Sequence, residues 1–182
     1  LSCVKAPGVR FIAPASADIS TGEDHENFDQ KSSVKISSMG DAANQAEDVK
    51  DIVDIPRYMV GIDGSGIEVG SLSDSADLVD GIAGDGGLIG IDESQNTGDL
   101  PPDGRINVIE EYVGTGTIDE GRGMMELLYD LAPGLSMMGY ATAATGQAGF
   151  ASNIDDLGAA GMDIINDDIV YFYEPFYQDG VI

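Results

Sequence analysis

The feature that most constrains the fold is an alternation that starts near Gly61. Short apolar runs of strand length are separated by amphipathic runs of helix length. Gly66-Ile67-Glu68-Val69-Gly70-Ser71-Leu72 reads as a buried strand that ends in Ser73-Asp74-Ser75. Residues 77–104 are rich in Gly and Asp and read as a long loop with room for a short helix. Residues 105–113 form the second strand pattern. Thr117 opens a helix, because Glu120 follows at capping-box spacing; Met124, Leu127, Leu128 and Leu131 mark its apolar face, and Pro133-Gly134 stops it. A third strand covers residues 135–142. A helix over 147–160 turns Phe150, Ile154 and Leu157 inward and stops at Gly161, and a fourth strand over 162–166 ends in Asp167-Asp168. Such alternation predicts an α/β fold of βαβ units, with a parallel sheet and right-handed crossovers.

The text before Gly61 is different. Val9-Arg10-Phe11-Ile12 reads as one short strand closed by Ala13-Pro14, residues 20–38 are polar and linker-like, and 41–52 carries Ala42, Ala46, Val49 and Ile52 near a helical period. At 182 residues one domain is the default, and 42% hydrophobic residues are enough for a core without disulfides. The chain begins at Leu1, with no basic-then-apolar signal segment, and stops after Gly180-Val181-Ile182, so the expectation is a piece of a longer protein.

Charge narrows the partners. Asp and Glu number 33 against 8 Lys and Arg, for a net charge of −25. Phosphate binding needs clustered cations, so nucleic acid and anionic membrane surfaces are poor partners. No apolar run reaches the roughly 18 residues of a membrane span. Cys3 is the single cysteine and His25 the single histidine, which argues against a disulfide framework, a histidine metal site and a self-contained Ser-His-Asp triad. Spread over the surface, the acid suits high salt or an extracellular setting. Concentrated in the loop that holds Asp85, Asp92, Glu93, Asp99 and Asp103, it could bind calcium, although no EF-hand spacing is present and a solvated acidic loop is the simpler reading.

In open parallel sheets functional groups collect at the carboxyl ends of strands. Asp74 and Asp167-Asp168 lie at such ends, and Glu120 starts a helix beside them. Asp74, between Ser73 and Ser75, could be oriented for acid–base work or could simply cap a turn. Asp119-Glu120 lies where a helix dipole favours a carboxylate, and simple capping, which Thr117-x-x-Glu120 satisfies, is the favoured account from pattern alone. Gly64-x-Gly66-x-x-x-Gly70 precedes its strand and has the wrong spacing for a dinucleotide fingerprint. Ser136 lies in a strand pattern with no base to activate it.

The run from Asp63 to Ser75 (Asp63-Gly64-Ser65-Gly66-Ile67-Glu68-Val69-Gly70-Ser71-Leu72-Ser73-Asp74-Ser75) resembles the opening of a subtilase catalytic domain, where such a strand delivers the catalytic Asp. Asp119-Glu120-Gly121-Arg122-Gly123-Met124, followed by Leu131-Ala132-Pro133-Gly134, is similar to the helix that carries the second catalytic residue. Met162-Asp163-Ile164-Ile165-Asn166 is similar to the strand lining the substrate cleft. Subtilases have His-Gly-Thr-His where this chain has Glu120-Gly121-Arg122-Gly123. Twelve positions before Ala132 lies Glu120, as the catalytic Glu does in the sedolisins, whose Asp four residues later is Met124 here.

The resemblance implies a subtilisin-like, three-layer fold with helices on both faces of a parallel sheet, truncated to the N-terminal half of a catalytic domain at 57–182. Residues 1–20 would be the tail of a pro-region and 21–56 a linker with a short helix. It implies a secreted serine endopeptidase acting on polypeptide substrate. Asp74 is the family acid, Glu120 the base in the histidine's place, and Asp168, Ile169 and Val170 pair with substrate. No cofactor is implied with certainty, calcium being the candidate. The nucleophile segment and the oxyanion segment would lie in the missing C-terminal half. An inactive peptidase fold used for binding, and a calcium-binding adhesin module, are the alternatives.

Overall fold

The computed structural model describes residues 11–14, 44, 62–79, 86–102, 104–172, 174, 175, 177 and 179–182. Among these residues five strands and three helices follow in order: β1 (Phe11–Pro14), β2 (Glu68–Ser73), α1 (Gly90–Thr97), β3 (Ile106–Glu110), α2 (Glu120–Leu131), β4 (Met137–Thr142), α3 (Gly146–Ala159) and β5 (Ile164–Asp167). All pairings are parallel and the sheet order is β1-β5-β2-β4-β3. The strand that ends at Asp74 is therefore central. β1 lies at the edge beside β5, with Phe11 opposite Ile164. The candidate helix over 41–52 and most of residues 1–56 lie outside the described residues.

Strand alternation sorts the core into two layers. Val69, Met138 and Tyr140 face one side, where they meet Ile91 of α1 and Met125 of α2. Leu72, Ala141 and Ile165 face the other and pack on Phe150, Ile154 and Leu157 of α3. The protein is thus an α/β fold with helices on both faces of a parallel sheet. Gly70 and Gly139 are paired in register, and a Cβ on either would come within 3.0 Å or 2.9 Å of Leu157, so the two glycines make the trough that α3 fills.

The inward face of α2 differs from the expected one. Gly121 and Met125 are its buried residues, with Leu128 packed beside them, whereas Leu127 is exposed. The cause is Gly121, which lies against the ring of Tyr140 and the backbone of Ser75 and leaves no room for a Cβ. That close approach rolls the helix onto a small residue that a hydrophobicity pattern does not count.

The crossovers also depart from expectation. From β2 the chain passes through α1 to the β3 edge over the Met125 face, and α2 returns it to β4 over the same face. α3 then carries it from β4 past β2 to β5 over the opposite face. Travel toward one edge over one face has the same hand as travel away from it over the other. The first and third crossovers therefore share a hand, and β3-α2-β4 has the opposite one. The three crossovers thus cannot all have the expected right hand. By staying on that face, α2 lies across β2 and β4, with its N-terminus at the carboxyl end of β2.

Candidate functional site

The expected capping box does not form. The helix starts at Glu120, its N-cap Asp119 sits at φ 57, ψ 41, and no side chain of the cap bonds the first turn. The end of β2 supplies the acceptors instead. Asp74 Oδ1 accepts the Glu120 N–H at 2.9 Å and Asp74 Oδ2 accepts the Ile118 N–H at 2.8 Å. The Ser75 carbonyl accepts the Gly121 N–H at 3.0 Å. Helix N-termini present unpaired N–H groups and a positive dipole end, so a carboxylate from a neighbouring strand is a good cap. From β4, Thr142 Oγ1 donates to the Asp74 carbonyl at 2.9 Å and fixes the turn from behind.

Asp74 and Glu120 are thus brought together, and Asp168 joins them. Just past the end of β5, Asp168 Oδ2 accepts the Ser73 hydroxyl at 2.7 Å, while Asp168 Oδ1 is buried with no hydrogen-bond partner among the described residues. Burial pushes the Glu120 carboxyl above its ordinary value, and the charges of Asp168 and Asp74 push it further. Asp168 is raised by burial as well, opposed by the Ser73 hydroxyl and reinforced by Asp74. Glu120 and Asp168 therefore hold a proton more readily than ordinary carboxyls do. Ser73 and Ser75, the serines that touch these carboxylates and their neighbours, are fully buried and out of reach of any substrate.

The rest of the predicted substrate segment is placed differently. Ile169 packs against the α3 layer, and its N–H donates to Asp167 Oδ1 at 3.2 Å, so it is not free for strand addition. Val170 is exposed. The acidic loop has its own internal partners. Glu93 forms an ion pair with Arg122 at 2.7 Å, and Asp99 accepts the Thr97 hydroxyl at 2.5 Å. Asp92 is exposed, and Asp85 and Asp103 lie outside the described residues, as do Cys3 and His25. Among the described residues no group of three or more His, Cys, Asp or Glu is arranged to hold a metal ion. Ser136 Oγ accepts the Gly66 N–H at 3.1 Å, a structural contact.

Sequence reasoning named Asp119 and Ser75 only as neighbours of Glu120 and Asp74, and gave Glu111 no role. Asp119 is buried, and its carboxylate accepts the Ser75 hydroxyl and the N–H groups of Leu78 and Val79. Ser75 links it back to β2. Glu111 Oε2, just past β3, accepts the N–H groups of Ala76 and Asp77 at 3.1 and 3.0 Å. The available signal was an Asp directly before a helix and an Asp-Ser pair at a strand end, which also fits an ordinary turn.

Comparison of the chain with protein-family models, with curated proteins and with solved structures finds no match. Among the described residues no helix is long and apolar enough to cross a membrane.

The carboxyls at and around this edge make stability depend on pH. Asp77, Glu111, Glu120, Glu126, Asp167 and Asp168 are all raised, with burial the leading cause in each, and Asp167 reaches about 6. A raised carboxyl binds its proton more tightly in the folded state. Its stabilising effect is complete below the unfolded value and is lost as pH rises through the folded one. Only the exposed Asp63, lowered by hydrogen bonds from Ser65, runs the other way among these shifts. The melting temperature is therefore expected to rise by several degrees between pH 7.5 and pH 5, as the −25 self-repulsion also eases. Asp167→Asn should flatten the slope, since Asp167 alone represents on the order of 2 kcal/mol after solvent screening. A melting temperature that falls over this range would contradict the assignment.

Proposed function

We propose that the chain supplies the acid and base half of a subtilase-like serine peptidase site, with Glu120 in the place of the usual histidine. The observation that carries this reading is the meeting of Asp74, Glu120 and Asp168 at the carboxyl edge of a parallel sheet, with Asp74 on the central strand. Glu120 takes the proton of a serine hydroxyl as its oxygen attacks the scissile carbonyl, and gives that proton to the departing amine. Water then hydrolyses the acyl-enzyme by the same base. Asp74 holds the first turn of α2 in place and keeps negative charge beside Glu120, which favours the proton on Glu120 once it is transferred. The serine is assigned to chain beyond these 182 residues. Extended polypeptide would enter past Asp168 and exposed Val170, and the acidity of the chain suits a secreted enzyme.

A binding module built on the same fold is the second reading. It is favoured by the use of both Asp74 oxygens as acceptors for the α2 backbone, a role that needs no catalysis. A fluorophosphonate probe separates the two, because it reacts only with an activated serine. The product of the whole gene should be labelled at one serine, and the 182-residue chain should not. An unlabelled whole product supports the binding module, and labelling of the short chain would overturn the assignment of the serine to chain elsewhere.

A further inference from the structure

Between Asp74 and Glu120 lies a pair of buried residues that the acid–base chemistry itself does not use. Ser75 Oγ donates to Asp119 Oδ1 at 2.6 Å and accepts the Asp119 N–H at 2.9 Å, so one hydroxyl closes a two-way contact with one residue. Ser75 is 0% exposed and Asp119 4%. We infer that Ser75 and Asp119 are positioning residues, whose reciprocal hydrogen bonds hold Glu120 against Asp74 and Asp168. The inference rests on the reading of Glu120 as an acid–base group.

The backbone of Asp119 carries the argument. An Asp just before a helix ordinarily takes an extended conformation and caps the first turn with its own side chain. Asp119 does neither. It is the non-glycine residue at positive φ among the described residues, and its carboxylate turns away from the helix to Ser75, to Leu78 N at 3.1 Å and to Val79 N at 2.8 Å. The capping work falls to Asp74 and to the Ser75 carbonyl. The first turn of α2 is consequently tied to the end of β2 at four successive residues, 118 to 121, through Asp74 and Ser75 alternately. A helix terminus that would otherwise fray is pinned on both sides of Glu120. Arg122 Nε, 3.9 Å from Asp119 Oδ2, adds a charge contact from the next turn.

The test reads the proton affinity of Glu120, which a merely structural defect elsewhere would not move. Carboxyl-carbon NMR titration of the 182-residue chain should place the Glu120 midpoint above that of an ordinary glutamate. Ser75→Ala should bring it down by roughly half a pH unit or more, as Glu120 drifts from its two acidic neighbours. Ser75→Thr, which keeps the hydroxyl, should retain the parent midpoint. Leu157→Ala, in the α3 layer on the other side of the sheet, should lower the melting temperature and leave the midpoint in place. If Ser75→Ala does not fold, Ser75→Cys, whose thiol is only a weak donor and acceptor, replaces it with a fall in the same direction. A folded Ser75→Ala or Ser75→Cys protein with an unchanged Glu120 midpoint overturns the inference. Turnover is not read, so failure of this inference is distinguishable from failure of the peptidase reading, which the fluorophosphonate probe tests on the product of the whole gene.

Discussion

Asp119→Ala is expected to cost about 3–5 kcal/mol of folding stability, the largest loss of any single polar substitution near the site. Two effects combine. Alanine would have to hold the left-handed backbone at φ 57 without the local hydrogen bonding that lets Asp adopt it, at roughly 1 kcal/mol or more. It would also strip the acceptor from the buried Ser75 hydroxyl, at about 1–3 kcal/mol, and from the N–H groups of exposed Leu78 and half-buried Val79, which water partly satisfies. Relief of the buried carboxylate's desolvation offsets part of the sum. Asp119→Asn keeps the backbone preference and one acceptor oxygen, so it should lose less than half as much. Urea unfolding of both variants checks the pair, and a loss below about 1 kcal/mol for the alanine variant would refute the role given to Asp119.

Elements whose partners are regular were legible in the sequence. The inward triplet of α3, Phe150, Ile154 and Leu157, is buried as its spacing predicts, because a long helix against a flat trough buries every residue at that period. β2 and β4 read as buried strands and are buried, because helices cover both their faces. α2 was less legible. Its contact with the sheet is made by Gly121, which carries no hydrophobic signal, so the apolar face was placed one position away from Met125. The hand of β3-α2-β4 depends on which layer α2 joins, and local pattern does not encode that.

At the site, Asp74 and Glu120 could be named from strand and helix ends, since carboxylates at such ends face each other in this architecture. Their hydrogen bonding could not be named. Thr117 and Glu120 satisfy a local capping rule that the fold overrides, because Asp74 takes the Glu120 N–H from 46 positions earlier in the chain. Asp168 was legible as a carboxylate at a strand end beside Glu120, with a pairing role toward substrate; the tie of its side chain to Ser73 emerges only when β5 is placed beside β2. The acidic loop carries a similar lesson. Glu93 and Asp99 read in the sequence as part of a solvated acidic loop and are engaged by Arg122 and Thr97 in the fold.

The central claim is that Glu120 is a base and not a cap, and Glu120→Gln in the product of the whole gene tests it most directly. Its own side chain takes no part in the α2 cap, which rests on Asp74 and Ser75, so the substitution should leave the fold intact. Removing one of three crowded carboxyls should keep the melting temperature level or raise it slightly. A general base contributes on the order of 10²–10⁴ in rate, and an amide cannot accept the serine proton. The measurement is single-turnover peptide hydrolysis by parent and variant at matched stability. A fall of about 10²–10⁴-fold with an unshifted melting temperature is the predicted result; turnover within about threefold of the parent would contradict the claim.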